Sequence, residues 1–391
     1  MKKTIVILSH VGFDKSPYCN YVHSHAKALA EQGYNVIVLA IISWIPILSK
    51  LQKRKKEFMK RIKGENKIQK IDDVTVIYKK AMTFSNLLYN SRLNLNGIFY
   101  YLSIKRLFKK IYKKENVVLL DAHTFRTEGY VASKLKKHYK GLTTTVTLHG
   151  TSFLRNTKTK NGIRLINKIL NSVDYSVCVS DMLKNIATTC GAKNAITIYN
   201  GVNQHEFEKV NKEDYKYNII TVGSLIPRKK HDITIQAIEK LYKKYPKIRL
   251  NIVGFGVEKE NLTNLVKEKK LEEVVTFKGE ISNNEVLELM NKSYVFILPS
   301  VAEGFGIVYI EAMKAGTIAI ATKGEGIDGF IKNGKNGFLV NPDADEIADL
   351  ICDIYAGKYD IEKIRGNAYK DAEQLTWTNN AKNYINLLKK N

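Results

Sequence analysis

Short apolar runs rich in β-branched residues recur along the whole chain: TIVILSH, NVIVLAII, VTVIY, VVLLDAH, TTTVTLHG, YSVCVS and AITIYNG, then NIITVGS, RLNIVGFG, VVTFKG, YVFILPS, TIAIATKG and GFLV. Between them lie segments with helical spacing of apolar residues, such as NYVHSHAKALAEQGY and HDITIQAIEKLYKKYP. Strand-length runs alternating with helical segments predict parallel sheets wound with helices. The strands are too many for one sheet. The polar stretch NGVNQHEFEKVNKEDYKY, residues 200–217, breaks the pattern and a new strand follows at once, so the domain boundary falls there. The expected fold is α/β, with two Rossmann-like doubly wound domains facing a cleft. Such sheets bind ligands beyond the carboxyl ends of their strands, so the chemistry is expected in loops that follow strands. No repeat of solenoid period and no long low-complexity tail is visible.

Composition narrows the class. The 391 residues, 44% hydrophobic and 10% aromatic, suffice for two buried cores and exclude a disordered chain. Cys19, Cys178, Cys190 and Cys352 show neither CxxC nor Cys/His spacing, which suggests no disulfide framework or zinc site and fits a reducing cytoplasm. The start MKKTIVILSHVGF has a short apolar run leading into a glycine turn and no small-residue cleavage site, so it reads as a first strand, not a signal peptide. The net charge of +25 is unevenly placed, with 19 Lys/Arg against 4 Asp/Glu in residues 50–114. Nucleic acid, an anionic membrane surface or a phosphorylated substrate would each suit that segment, and so would a merely solvated lysine-rich face.

Two stretches carry candidate chemistry. GSLIPRKKHDITIQAI, residues 223–238, follows the first strand of the second half and opens a helix; a glycine turn, Arg228, Lys229 and a helix N-terminus together suit a diphosphate. The second stretch is SVAEGFGIVYIEAMKAG, residues 300–316, where Gly304 and Gly306 allow backbone amides close to a ligand and Glu303 and Glu311 stand eight apart. Carboxylates beside a diphosphate would repel it, but they accept hydrogen bonds from hydroxyls. As plain helix-start residues they would instead satisfy free amides.

These stretches, with FILPS before them and GFIKNGKNGFLVNPDADEIADLI after, resemble the retaining glycosyltransferases of the GT-B fold in family 4, or glycosyl transferases group 1. YNGVNQHEF, VGSLIPRKKHD and LNIVGFG match too; the first half matches more loosely, through the Gly12 turn, AKALAEQGYNVIVLA and TLHGT. The resemblance implies that Lys229 binds the donor diphosphate and Glu311 the ribose hydroxyls. It implies that Glu303, with the amides of Phe305 and Gly306, holds the transferred sugar, that His149 reaches over that sugar, and that Gly12 lets its loop close on the diphosphate. Where the family commonly has Arg after the glycine of VGR, this chain has Ser224, and Arg228 is the candidate replacement. The expected domains are 1–202 with a returning helix at 377–391, binding the acceptor, and 203–376, binding the nucleotide-sugar.

Such transfer needs the departing diphosphate stabilised, which the cations and amides supply without a metal. A metal-dependent enzyme would carry Asp-x-Asp at a strand end; the candidate Asp343-Ala-Asp345 follows Pro342 and reads as a helix cap, so neither metal nor other cofactor is expected. The basic segments 44–64 and 96–114 combine aromatic residues with lysines and are too short in apolar length to span a bilayer. They read as an interfacial surface for anionic lipid, with solvated lysines over core aromatics as the alternative. The expectation is therefore a peripheral enzyme of the inner membrane face using a UDP-sugar and a lipid-linked surface polysaccharide intermediate. A soluble acceptor is the rival. A basic nucleic-acid-binding protein is disfavoured, since no nucleic-acid module is recognisable.

Overall fold

In the computed structural model, the described residues are 1–9, 20–44, 68–83 and 94–389, and they form two compact units. One comprises Met1–Gly201 with Trp377–Asn391, the other Val202–Thr376.

The first unit is built on β1 (Lys3–Ser9), β2 (Asn35–Trp44), β3 (Ile68–Ile71), β4 (Val74–Met82), β5 (Asn116–His123), β6 (Thr143–Leu148), β7 (Tyr175–Cys178) and β8 (Ala195–Thr197). Their order in the sheet is β3-β4-β2-β1-β5-β6-β7-β8. All neighbours are parallel except the edge pair β3–β4. That hairpin is absent from the sequence reading. Its turn is Asp72-Asp73, both with positive φ (48° and 63°), the conformation a tight hairpin needs and which Asn-Gly or Asp-Gly would have advertised.

The central strands β1, β2 and β5 are buried on both faces, as their unbroken apolar runs require. Ile5, Ile7, Val36, Val38 and Leu119 form a core with Val22, Ala26 and Leu29 of helix Asn20–Glu31 and with Ala381, Tyr384 and Leu387 of helix Trp377–Leu387. The C-terminal helix thus closes the face of a sheet whose strands lie far earlier in the chain.

The second unit has β9 (Asn218–Val222), β10 (Arg249–Val253), β11 (Val275–Gly279), β12 (Val295–Leu298), β13 (Ile318–Thr322) and β14 (Phe338–Val340). Their order is β11-β10-β9-β12-β13-β14, every pair parallel. The order reverses between β9 and β12, which makes the loops after these two strands the switch point where such sheets bind ligands.

Tyr384 is nearly fully buried and its hydroxyl lies 2.7 Å from Thr147 Oγ1. Replacing it with alanine leaves a cavity and takes away one of the two hydrogen bonds of the Thr147 hydroxyl, which also donates to Asp121 Oδ1 at 3.2 Å. Tyr384→Ala is expected to cost about 3–5 kcal/mol, read as a lower urea midpoint at unchanged slope.

Candidate active site

The loops after β9 and β10 are drawn together by glycines. A Cβ on Gly254 would lie 2.0 Å from Gly223 O, and one on Gly256 would lie 2.2 Å from Leu225 O, so the loop after β10 packs directly on the loop after β9 only because both side chains are missing. That packing sets the short turn Pro227–Lys229 and the helix His231–Lys244 behind it. Val301 N donates to Arg228 O at 2.8 Å, joining this turn to the loop after β12.

Glu303 lies in that second loop, and its carboxylate takes the two cations the sequence assigns to an anion. Arg228 Nη1 donates to Glu303 Oε2 at 3.1 Å, and Lys229 Nζ donates to the same oxygen. The Lys229 and Glu303 side chains are only 10% and 13% exposed, so the pair is poorly screened by solvent. Burial alone would raise the Glu303 pKa, but Lys229 and then Arg228 outweigh it and hold the carboxyl below its ordinary range.

The loop itself is clamped by a residue that sequence reading missed. Both Glu325 carboxylate oxygens accept backbone hydrogen bonds, from Ala302 N and Glu303 N at 2.9 Å each. Ala302 is in the left-handed region, φ 55°, so two successive amides point at one carboxylate. Gly326 N donates to Glu303 O at 3.1 Å, and a Cβ on Gly326 would sit 2.2 Å from Gly304 O. Nothing local in TKGEG signals this clamp, because its partners lie 22 and 23 residues away.

Gly304 and Phe305 are buried, and Gly306, φ 85°, begins helix Ile307–Lys314. Glu311, on that helix, differs from Glu303: with no cation among the described residues to balance it, burial pushes its carboxyl up to about 7, opposed by a side-chain hydrogen bond from Asn283. The structure thus brings Arg228, Lys229, Glu303, Gly304, Phe305, Gly306 and Glu311 onto the loops and helix at one sheet edge of the second unit. Asp343 caps helix Ala344–Tyr355 through bonds from Asp345 N and Glu346 N, the capping arrangement expected of Asp-x-Asp.

In the first unit, His149 immediately follows β6. Its Nε2 lies 2.9 Å from His123 Nδ1, and its ring packs 4.2 Å from that of Tyr21, centroid to centroid. His123 and Asp121, at the end of β5, were not singled out in the sequence because they close an otherwise apolar run. Among the described residues, His25, Asp121 and His123 are a group whose donor atoms, all within 4.8 Å of one another, converge closely enough to hold a metal ion. Gly12 and residues 45–64 lie outside the described residues.

Helix Leu95–Lys114 is described, and it corrects one expectation. Tyr100, Ile104, Phe108 and Ile111 recur at helical spacing on its buried face, while Lys105, Arg106, Lys109, Lys110, Lys113 and Lys114 are exposed. Two of the aromatics proposed for a headgroup layer, Tyr100 and Phe108, therefore face the core. No described helix is long and apolar enough to cross a membrane.

Two doubly wound units with such loops at the strand ends define the GT-B class, and solved structures show the same fold. Sucrose-phosphate synthase from Thermosynechococcus elongatus matches with a TM-score of 0.75 at 20% identity, covering 100% of this chain and 99% of that one. The Anabaena protein HepE, crystallised with UDP and glucose, matches with a TM-score of 0.69 at 18% identity over 100% of both chains. In sequence, an uncharacterized glycosyltransferase of Methanocaldococcus jannaschii is 30% identical over 260 residues, 65% of this chain and 71% of that relative. The family model described as Glycosyl transferases group 1 matches residues 202–371, and Glycosyltransferase Family 4 matches residues 20–206. The chain belongs to the family 4 glycosyltransferases.

The Glu311 shift has a testable sign. A carboxyl whose folded pKa is raised to about 7 binds its proton more tightly folded than unfolded, so its contribution is full below the unfolded value and is lost as pH rises through 7. Glu311→Gln is expected to gain stability over the native chain at pH 8, on the order of 2 kcal/mol, and little at pH 4. Thermal melts of both proteins across that range check this.

Proposed function

We propose that the chain transfers a sugar, with retention of anomeric configuration and without a metal, from a nucleotide-sugar to an acceptor hydroxyl. A UDP-sugar is the working donor, in keeping with the UDP and glucose of the Anabaena structure. The observation that carries the reading is the Arg228–Lys229–Glu303 cluster, in which two cations share one carboxylate oxygen. The cluster keeps one positive charge in excess. An arriving diphosphate competes with Glu303 for both cations, and each cation it takes frees carboxylate capacity for hydroxyls.

In this reading Lys229 and Arg228 stabilise the departing diphosphate as its charge grows. Glu303 and the amides of Gly304, Phe305 and Gly306 hold the transferred sugar, Glu311 accepts from the ribose hydroxyls, and His149 supplies a polar contact to the sugar. Gly12 gives its loop room at the diphosphate. The departing phosphate oxygen takes the acceptor proton, so no dedicated base is required. No other cofactor takes part, and the nucleotide-sugar is a substrate.

The acceptor we propose is a lipid-linked intermediate of a surface polysaccharide, reached from the cytoplasmic membrane face. The exposed lysine row of helix Leu95–Lys114 supports it, since clustered cations are attracted to anionic lipid at about 1 kcal/mol each. The inward aromatic face of the same helix favours a second reading, a soluble acceptor such as a protein or small molecule.

A thermal-shift panel of UDP, GDP and ADP with their sugars tests the donor, and stabilisation by none of them counts against nucleotide-sugar use. Glu311→Ala is expected to weaken nucleotide binding roughly tenfold or more, whereas Glu303→Ala is expected mainly to lower turnover. Transfer left intact by both substitutions would refute these site roles. For the acceptor, co-sedimentation with anionic liposomes should occur at low salt and fade as salt rises. Binding to neither neutral nor anionic vesicles argues for the soluble acceptor.

A further inference from the structure

We propose that His25 Nε2, Asp121 Oδ2 and His123 Nε2 are the protein ligands of a structural divalent transition-metal ion, zinc by ligand type, that ties helix Asn20–Glu31 to strand β5. The ion belongs to the first unit and takes no part in the transfer proposed above, where the diphosphate is left to Arg228 and Lys229. The inference therefore goes beyond that reading and does not rest on it.

The three ligands come together from two elements. Asp121 and His123 stand two apart on β5 and project to the same side of the sheet, and His25 comes from the helix that packs on that sheet. All three are buried, at 2%, 0% and 2% exposure for His25, Asp121 and His123. Asp121 Oδ2 lies 3.3 Å from His25 Nε2 and 3.0 Å from His123 Nε2, and the three atoms are all within 4.8 Å of one another.

These distances are short enough for hydrogen bonds, yet neither ring nitrogen is aligned on the carboxylate. All three atoms are buried without a hydrogen-bond partner. Polar atoms in that condition are rare in native cores and costly, and here three of them face one another. A single cation bonded to each satisfies all three at once. Ligand atoms placed about 2.0–2.2 Å from a tetrahedral zinc stand about 3.3–3.5 Å apart, close to the spacings to Asp121 Oδ2.

The remaining atoms of the same side chains have the outer partners that metal ligands require. Asp121 Oδ1 accepts from Thr145 Oγ1 at 2.6 Å and from Thr147 Oγ1 at 3.2 Å, which leaves Oδ2 for the ion. Asn380 Nδ2 donates to Tyr199 O at 2.8 Å, so Asn380 Oδ1 is the acceptor for His25 Nδ1 at 2.7 Å. His123 Nδ1 lies 2.9 Å from His149 Nε2. Outer contacts of this kind hold a ligating imidazole in place and raise its basicity. Two imidazoles and a carboxylate suit zinc or a neighbouring transition ion, whereas calcium and magnesium prefer oxygen ligands throughout. Three protein ligands leave the fourth position of the tetrahedron to a water.

Elemental analysis of the full-length chain, made without a polyhistidine tag and grown with added zinc, tests the proposal. About one zinc, or one other transition ion, per chain is expected after dialysis. Chelation with dipicolinate should lower the melting temperature, and Zn2+ but not Mg2+ should restore it. Asp121→Asn and His25→Gln should each reduce metal content about tenfold or more. Should either variant fail to fold, Co2+ loaded into the chelated native chain gives a second reading. The visible bands of a tetrahedral ion without a thiolate charge-transfer band in the near ultraviolet support the His/Asp set, and a thiolate band places the ion on a cysteine and overturns it. Native protein with neither zinc nor another transition ion, and with no uptake of Co2+, overturns the proposal and leaves a trapped water as the occupant. Folded variants that keep a full complement of metal overturn the assignment of these ligands. A transfer assay enters none of these readings, so failure here leaves the transferase reading untouched.

Discussion

The ion pair of Lys229 and Arg228 with Glu303 is the constraint around which the second unit's strand-end loops are arranged. A partly buried carboxylate and ammonium are tolerable only together; removing one partner of such a pair typically costs about 3–5 kcal/mol. The glycines at 254 and 256 let the loop after β10 pack on the loop that carries Arg228 and Lys229, Gly326 packs against Gly304 beside Glu303, and Glu325 holds the carboxylate-bearing loop by two amides. These choices serve one end: a carboxylate and two cations at a fixed point of a sheet edge, with one cation in excess.

Much of this was legible in the sequence because it depends on local pattern. Long, doubly buried strands read as unbroken apolar runs, and Gly-x-Gly followed by a helix reads as a loop that lets amides approach a ligand. What was not legible depends on partners distant in sequence. Glu325 acts on amides 22 and 23 residues earlier, and His25 meets Asp121 across nearly a hundred positions, so neither leaves a spacing signal. The β3–β4 hairpin escaped notice because Asp72-Asp73 adopts, without glycine, a backbone usually marked by one. In helix Leu95–Lys114 the composition was read correctly as aromatic and basic, but the phase that sends Tyr100 and Phe108 inward decides whether a membrane could use them.

The two glutamates that stand eight apart are made chemically different by their surroundings. Glu303 is kept ionised by two cations, whereas Glu311 has none and is buried until its pKa approaches 7. Under the proposed function the site accepts a diphosphate and hydroxyls together and faces an electrostatic conflict, because two full carboxylates would repel the phosphates. On the proposed reading, pairing one carboxylate with the two cations and leaving the other half-protonated near neutral pH reduces that repulsion without giving up either acceptor. The two groups should then respond differently to a ligand. On that reading Glu303 would exchange cations for hydroxyls, with little change in its own protonation. Glu311 would lose a proton when hydroxyls donate to it, so on the same reading nucleotide binding releases protons near pH 7.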